Sequence, residues 1–131
     1  YYHDGSPINT MSAKVASYQK AKIKEVKNVE TNKLDTLIAN TKFKNREIDF
    51  LTIDVEGLEL EVLQGLSLRR YKPKIVVVEY LDLTTKKLEL KNLNIKNVLN
   101  SKIYKFMIKN SYTMINWLHS DIIFVHNKFK D

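Results

Sequence analysis

The strongest pattern of apolar positions in the chain is a ten-residue segment near its centre. Residues 48–57 have the sequence Ile-Asp-Phe-Leu-Thr-Ile-Asp-Val-Glu-Gly, and their apolar side chains fall on both faces of an extended segment. A strand that is covered by helices on both sides has this pattern, whereas a strand with one solvent face alternates. The pattern therefore predicts a buried strand over residues 48–54.

A helix and a second strand are predicted directly after this segment. Apolar residues recur at helical spacing at Leu58, Val62, Leu63 and Leu66. Basic residues followed by Pro73 are typical of the end of such a helix. The apolar run Ile75–Val78 then predicts a second buried strand. Because the connection is long enough for a right-handed crossover, we expect the two strands to be parallel.

Acidic residues stand where both predicted strands end. Asp54 and Glu56 follow the first strand, and Glu79 follows the second. A dry, unpaired carboxylate is costly, so these groups should lie where the strands meet donors, a cation or water. The carboxyl ends of parallel strands border the ligand crevice in open α/β sheets. We therefore predict that Asp54 and Glu79 converge on one rim, beside an open pocket. Glu59 is expected instead to complement the positive end of the following helix.

The same residues carry a family resemblance. The segment Ile-Asp-Phe-Leu-Thr-Ile-Asp-Val-Glu-Gly-Leu-Glu at 48–59, with Val-Leu-Gln-Gly at 62–65 and Pro-Lys-Ile-Val-Val-Val-Glu at 73–79, resembles the signature of FkbM-type methyltransferases. These enzymes use S-adenosylmethionine, and the resemblance covers roughly Ser6 to Val125. It implies an α/β fold, the C-terminal half of a Rossmann-like class I methyltransferase sheet, with parallel strands and a terminal antiparallel pair.

The resemblance also implies an activity and its residues. The expected reaction is O-methylation of a hydroxyl on a sugar, a glycan or a small metabolite. A hydroxyl is a poor acid, so it needs a general base or a metal ion. Asp54, Glu56 and Glu79 are the catalytic candidates, and Asp54 is also the candidate contact to the cofactor. The three carboxylates could bind the acceptor hydroxyls directly or could hold a hard divalent ion.

A loop near the start of the chain supplies further candidates. In the resembling family a loop that bears serine and asparagine lies near the substrate, so Ser6, Asn9 and Ser12 are candidates for polar contacts with it. A solvent-exposed loop is the alternative. His3 stands beside Asp4, and a carboxylate partner can orient an imidazole as a base.

The family's glycine-rich cofactor loop has no counterpart in this sequence. The chain has three glycines and begins with Tyr1 instead of methionine. We therefore expect residues 1–131 to form a single partial methyltransferase domain that lacks the N-terminal cofactor-binding half, as a fragment, a processed chain or an incomplete reading frame. Such a chain should bind S-adenosylmethionine weakly. It should also self-associate through the unpaired edge of its first strand.

Weaker patterns predict the flanking elements. The alternation at Lys20–Lys24 predicts an edge strand guarded by lysines. Thr31 or Asn32 is expected to cap a short helix. The runs Ile103–Ile108 and Ile122–Val125 are β-like and predict two strands, which the family resemblance implies pair antiparallel.

Composition narrows the choice of partner and compartment. The net charge is +7, which would attract nucleic acid, a membrane or an acidic glycan. Arginine is scarce and the aromatic residues do not interleave with the lysines, so a solvated lysine surface is favoured over a nucleic-acid interface. No cysteine is present, which excludes disulfides and thiolate metal sites. No apolar run approaches the roughly 18 residues of a membrane span. We expect a cytoplasmic protein.

Two alternatives to a methyltransferase remain at this point. A strand that ends in aspartate, a helix and a valine-rich strand also describe a phospho-accepting receiver domain. That class predicts a Met-Pro step after the aspartate and a hydroxyl residue at the end of the next strand. Val55 follows Asp54 here, and Glu79 stands where the hydroxyl residue is expected. The other alternative is a binding or structural remnant that keeps the half-sheet without catalysis.

Overall fold

The fold is built around a four-stranded mixed sheet. A computed structural model describes residues 1–2, 9–18, 23–80 and 94–130. Its strands are β1 Phe50–Ile53, β2 Ile75–Glu79, β3 Tyr112–Leu118 and β4 Asp121–His126, in the order β1-β2-β4-β3. The helices are α1 Ala13–Tyr18, α2 Leu34–Ala39, α3 Glu59–Gln64, α4 Leu68–Tyr71, α5 Ile95–Asn100 and α6 Lys102–Lys109, followed by a 3₁₀ turn over Asn127–Phe129.

The parallel pair that the sequence predicts is present. Strands β1 and β2 are adjacent and parallel, with Phe50 opposite Ile75 and Ile53 opposite Val78. The predicted single helix between them is two short helices, α3 and α4. Helix α3 ends at Gln64 with Gly65 as its C-cap, and the Ser67 N–H donates to the Asp35 carboxylate at 2.7 Å. This side-chain contact supports a turn that helical spacing alone does not reveal.

The terminal antiparallel pair is also present, but one of its predicted strands was wrong. Residues 103–108 lie within helix α6, whose start is capped by the Ser101 side chain, which accepts the Tyr104 N–H at 3.0 Å. Ile103 and Met107, four residues apart, are both buried. The strand that pairs with β4 is β3, which follows the helix. Strand β4 also pairs antiparallel with β2 and so joins the two halves of the sheet.

The predicted short helix is confirmed as α2, with a different start. Its N-cap is Lys33, which makes no capping side-chain bond, so neither Thr31 nor Asn32 is the cap. The predicted edge strand at Lys20–Lys24 lies mostly outside the described residues. Glu25, just beyond it, forms an isolated antiparallel bridge with Tyr2.

The core lies between the sheet and the helices. Its fully buried members come from both pairs of strands and from α3, α5 and α6: Leu63, Val76, Val78, Val98, Met107, Ile122 and Phe124. Strand β1 departs from the prediction of burial on both faces, since Ile53 is 4% exposed and Phe50 is 57% exposed. Within the described residues β1 pairs only with β2, so it is an edge strand. Self-association through this edge stays a prediction.

Membrane crossing can be assessed from the helices. Among the residues described, none of the helices has the length and apolar character that a bilayer span requires.

Candidate active site

Three carboxylates meet at the carboxyl ends of β1 and β2. One oxygen each from Asp54, Glu56 and Glu79 lies within 4.8 Å of the other two. Asp54 is exposed, whereas Glu56 and Glu79 are half-buried. The convergence follows from topology, because neighbouring parallel strands end on the same rim. The predicted meeting of Asp54 and Glu79 is therefore confirmed as geometry. We refer to these three residues as the carboxylate cluster.

The turn after β1 has a backbone that points Glu56 back towards Glu79. Glu56 has φ +54° and Gly57 has φ +102°, both in the left-handed region. Glu59 holds this turn, since its Oε1 accepts the Val55 N–H at 3.2 Å and the Gly57 N–H at 2.8 Å. Glu59 is 5% exposed and sits in the first turn of α3. Glu59 therefore has a structural role, as the sequence predicts. The role is more specific than an interaction with the helix dipole, because Glu59 accepts hydrogen bonds from two backbone N–H groups of the turn.

A second support for the turn comes from the start of the chain. Thr10 is 4% exposed, and its hydroxyl donates to the Glu56 carbonyl at 2.6 Å. The sequence gives Thr10 no distinguishing signal, and it was missed. The Ser12 hydroxyl accepts the Val15 N–H at 3.2 Å, so Ser12 caps the start of helix α1. Its contact with substrate remains a prediction.

The remaining substrate-binding candidates are Asn9, His3 and Ser6. Asn9 lies on the surface of the N-terminal segment. His3 and Ser6 lie outside the described residues. Their proposed contacts with substrate stay predictions.

Glu79 has the most unusual electrostatic environment of the cluster. Its Oε2 is buried and has no hydrogen-bond partner among the described residues. Burial and the nearby negative charges of Asp54 and Glu56 raise its pKa to about 8. Asp121, opposite Glu79 in the β2–β4 pairing, adds to the same effect. Burial first, and then Asp54 and Glu59, also raise the pKa of Glu56.

A comparison with protein-family models identifies the domain. Residues 2–114 match the model described as the methyltransferase FkbM domain. The chain belongs to this family. The match spans β1, β2 and the whole carboxylate cluster, so it removes the support for a receiver domain. Comparisons with curated proteins and with solved structures give no match.

The cluster of this FkbM domain can do two kinds of chemistry. A group with a pKa near neutrality can accept a proton from an alcohol or hold one at neutral pH. Three carboxylate oxygens at this spacing can also contribute to the oxygen shell of a divalent cation. Both uses require an opening on the rim, and Asp54 is the exposed member. Two clefts formed by described residues lie at the other end of the sheet, around Lys74 and around Ile48. The open pocket predicted beside the cluster stays a prediction.

The pKa of Glu79 predicts how the stability of the FkbM domain changes with pH. Folded Glu79 keeps its proton to about pH 8, whereas its ordinary pKa is 4.5. The folded state therefore binds more protons between these values, and the resulting stability is full below pH 4.5 and lost as the pH rises through 8. We expect the free energy of unfolding to fall across this window and Glu79→Gln to flatten that fall.

Urea unfolding at several pH values measures this effect, with a chelator present to remove divalent cations. Glu61→Gln is the matched control, because Glu61 is exposed and lies outside the cluster. An identical pH slope in the wild type and in Glu79→Gln would contradict the assignment.

Proposed function

We propose that this FkbM domain is part of an S-adenosylmethionine-dependent methyltransferase that methylates a hydroxyl of a sugar, a glycan or a small metabolite. The acceptor hydroxyl binds at the carboxylate cluster. One observation carries the proposal: three carboxylates meet at the strand ends of a methyltransferase domain, and a buried oxygen of one of them has no hydrogen-bond partner among the described residues. Ligands bind at this place in open α/β sheets.

The chemistry of the cluster fits an alcohol acceptor. An alcohol must lose its proton as its oxygen is methylated, and a base with a pKa near the working pH does this best. Glu79 meets that condition, because its pKa is raised to about 8. The exposure of Asp54 supports a role in accepting a hydrogen bond from the hydroxyl. In this proposal Asp54 orients the acceptor, and the cluster as a unit takes up its proton.

The residues present fit part of the cofactor. When bound, S-adenosylmethionine supplies a methyl group that is already activated by a positively charged sulfonium. The carboxylates fit that positive charge, and Asp54 is the candidate contact. The three glycines of the chain do not form a glycine-rich turn for the adenosine moiety. We therefore propose that residues 1–131 form a partial domain that contributes the acceptor side of the site.

A divalent cation is the alternative way to activate the hydroxyl. Bound to Asp54, Glu56 and Glu79, it would lower the pKa of the acceptor hydroxyl directly. The two mechanisms differ in a simple way. Activity that depends on a metal ion is lost with a chelator and restored by Mg²⁺ or Mn²⁺. Activity that uses the carboxylates as a base is unchanged by the chelator.

The test of the proposal is methyl transfer by the intact protein that contains this chain. Cofactor with a labelled methyl group is offered with panels of sugar, alcohol, amine and carboxylic acid acceptors. The expected product is an ether, which is stable to base. Label transferred to an amine or recovered as an ester would contradict the acceptor class. Bound cofactor with no transfer to any acceptor would favour the non-catalytic remnant.

A further inference from the structure

A cleft of about 360 Å³ lies at the end of the sheet opposite the carboxylate cluster. Its walls come from the loop before β1, from the end of α4 with the loop before β2, and from the 3₁₀ turn after β4. Five residue steps along β2, from Lys74 to Glu79, separate the cleft from the cluster by about 16 Å. Its size lies within the usual range for small-molecule sites. We call it the basic cleft.

Among the described residues, most of the basic groups of the basic cleft are not paired with a carboxylate. Six of its lining residues are basic and one is acidic: Lys44, Arg46, Arg70, Lys72, Lys74, Lys128 and Glu47. Lys74 is paired, with its Nζ 2.7 Å from Asp49 and 3.7 Å from Glu47. In the described part of the chain, no carboxylate lies within 4.0 Å of the other five basic groups. Like charges held together in a concave surface are unfavourable without a counter-ion.

Two features of the walls agree with a site for an anion. Tyr71 lines the cleft, and its buried hydroxyl has no hydrogen-bond partner among the described residues. The guanidinium of Arg70 lies over the ring of Tyr71, 5.2 Å from its centroid, which holds that side chain beside the cleft. The pKa of His126 is lowered, first by burial and then by the positive charges of Lys72 and Lys128. The positive charge of the cleft therefore extends to His126.

We propose that the basic cleft binds the phosphate group of a small organic phosphate, at a site separate from the carboxylate cluster. A phosphate carries up to two charges and three acceptor oxygens, which suits several cations better than a carboxylate does. Arg46 and Arg70 can each bind it through two parallel N–H groups. The cations surround one concavity instead of forming a stripe, which favours a compact ligand over nucleic acid or a membrane surface. This proposal stands whether or not the domain transfers methyl groups.

The test is calorimetric titration of the intact protein with inorganic pyrophosphate, a hexose phosphate and a nucleoside diphosphate at constant ionic strength. Arg70→Gln and Arg46→Gln should each weaken binding at least about tenfold, because each removes a charge-assisted hydrogen bond. Both arginines are exposed, so the fold should survive, and the melting temperature verifies this. Tighter binding of the hexose phosphate or of the nucleoside diphosphate than of pyrophosphate would show which organic group the ligand carries.

Arg69→Gln is the matched control. Arg69 is exposed, precedes Arg70 in the same helix and does not line the cleft. It should change the affinity by less than about twofold, because Arg69 does not line the cleft and an isolated exposed charge contributes little. Equal weakening by Arg69→Gln and Arg70→Gln would show attraction to the net charge only and would overturn the proposal. The protein could instead bind vesicles of anionic lipid, and binding of this kind that pyrophosphate does not inhibit would also overturn the proposal.

Discussion

Asp54→Asn is expected to lower the turnover of the intact enzyme at least about a hundredfold, the lower end of what a positioned acid or base contributes. The substitution removes the carboxylate that we place against the acceptor hydroxyl. It also removes the second-largest cause of the raised pKa of Glu79, so the pKa of Glu79 should fall. Both changes weaken proton uptake by the cluster. The rate of labelled methyl transfer at saturating cofactor measures the effect.

Glu61→Gln is the matched control for this substitution. Glu61 is an exposed carboxylate in the first turn of α3, and it lies outside the carboxylate cluster. The turnover of the Glu61→Gln protein should stay within about twofold of the wild type, because a single surface charge contributes little. The fold of Asp54→Asn should be intact, because Asp54 is exposed. Full activity in a folded Asp54→Asn protein would show that the site assignment is wrong.

Gly57→Ala is expected to destabilise the protein by about 2–5 kcal/mol, which is a large share of the stability of a small domain. A side chain at φ +102° is strained, at a cost of about 1–2 kcal/mol. The added Cβ would also collide with a methyl group of Val15, and overpacking costs about 1–3 kcal/mol. Chemical unfolding measures the loss. Because Gly57 shapes the turn that carries Glu56, turnover should fall as well.

Gly65→Ala separates these effects from the general cost of adding a methyl group. Gly65 has φ −77° and a right-handed helical conformation. The nearest atoms to its added Cβ are backbone atoms at 3.3 to 3.5 Å. The change in stability should therefore stay within about 1 kcal/mol. Equal destabilisation by the two substitutions would contradict the structural account of Gly57.

The central part of the fold could be predicted from local pattern. The apolar residues of β1 and β2 stand out in the sequence, and a connection long enough for a right-handed crossover favours the parallel pairing that is observed. The run Ile103–Ile108 was predicted as a strand because its apolar residues lie on several faces. They therefore fit both the two-residue period of a strand and the 3.6-residue period of a helix. Ser101 before it was the signal for a helix, since its hydroxyl caps α6. The split between α3 and α4 depends on Asp35, a distant residue that no local pattern connects to Ser67.

The candidate site, like the fold, has parts that local sequence patterns predict and parts that depend on long-range contacts. Asp54 and Glu79 could be predicted because each stands at the carboxyl end of a strand, and parallel strand direction places both on one rim. The support for the turn depends on long-range contacts, such as the bond between Thr10 and the Glu56 carbonyl, 46 residues apart. The burial that raises the pKa of Glu79 also arises only in the folded sheet, where Asp121 lies opposite it. A sequence shows which groups can ionise but not which ones lose their water.

The most direct test of the central claim is a structure of the intact enzyme bound to S-adenosylhomocysteine and a hydroxyl acceptor found in the transfer assay. We expect the reactive hydroxyl oxygen within hydrogen-bond distance, about 2.6–3.2 Å, of a carboxylate oxygen of Asp54 or Glu79. A water or a divalent ion bridging the two would agree with the same site. An acceptor bound elsewhere, with the carboxylate cluster facing bulk solvent, would contradict the account.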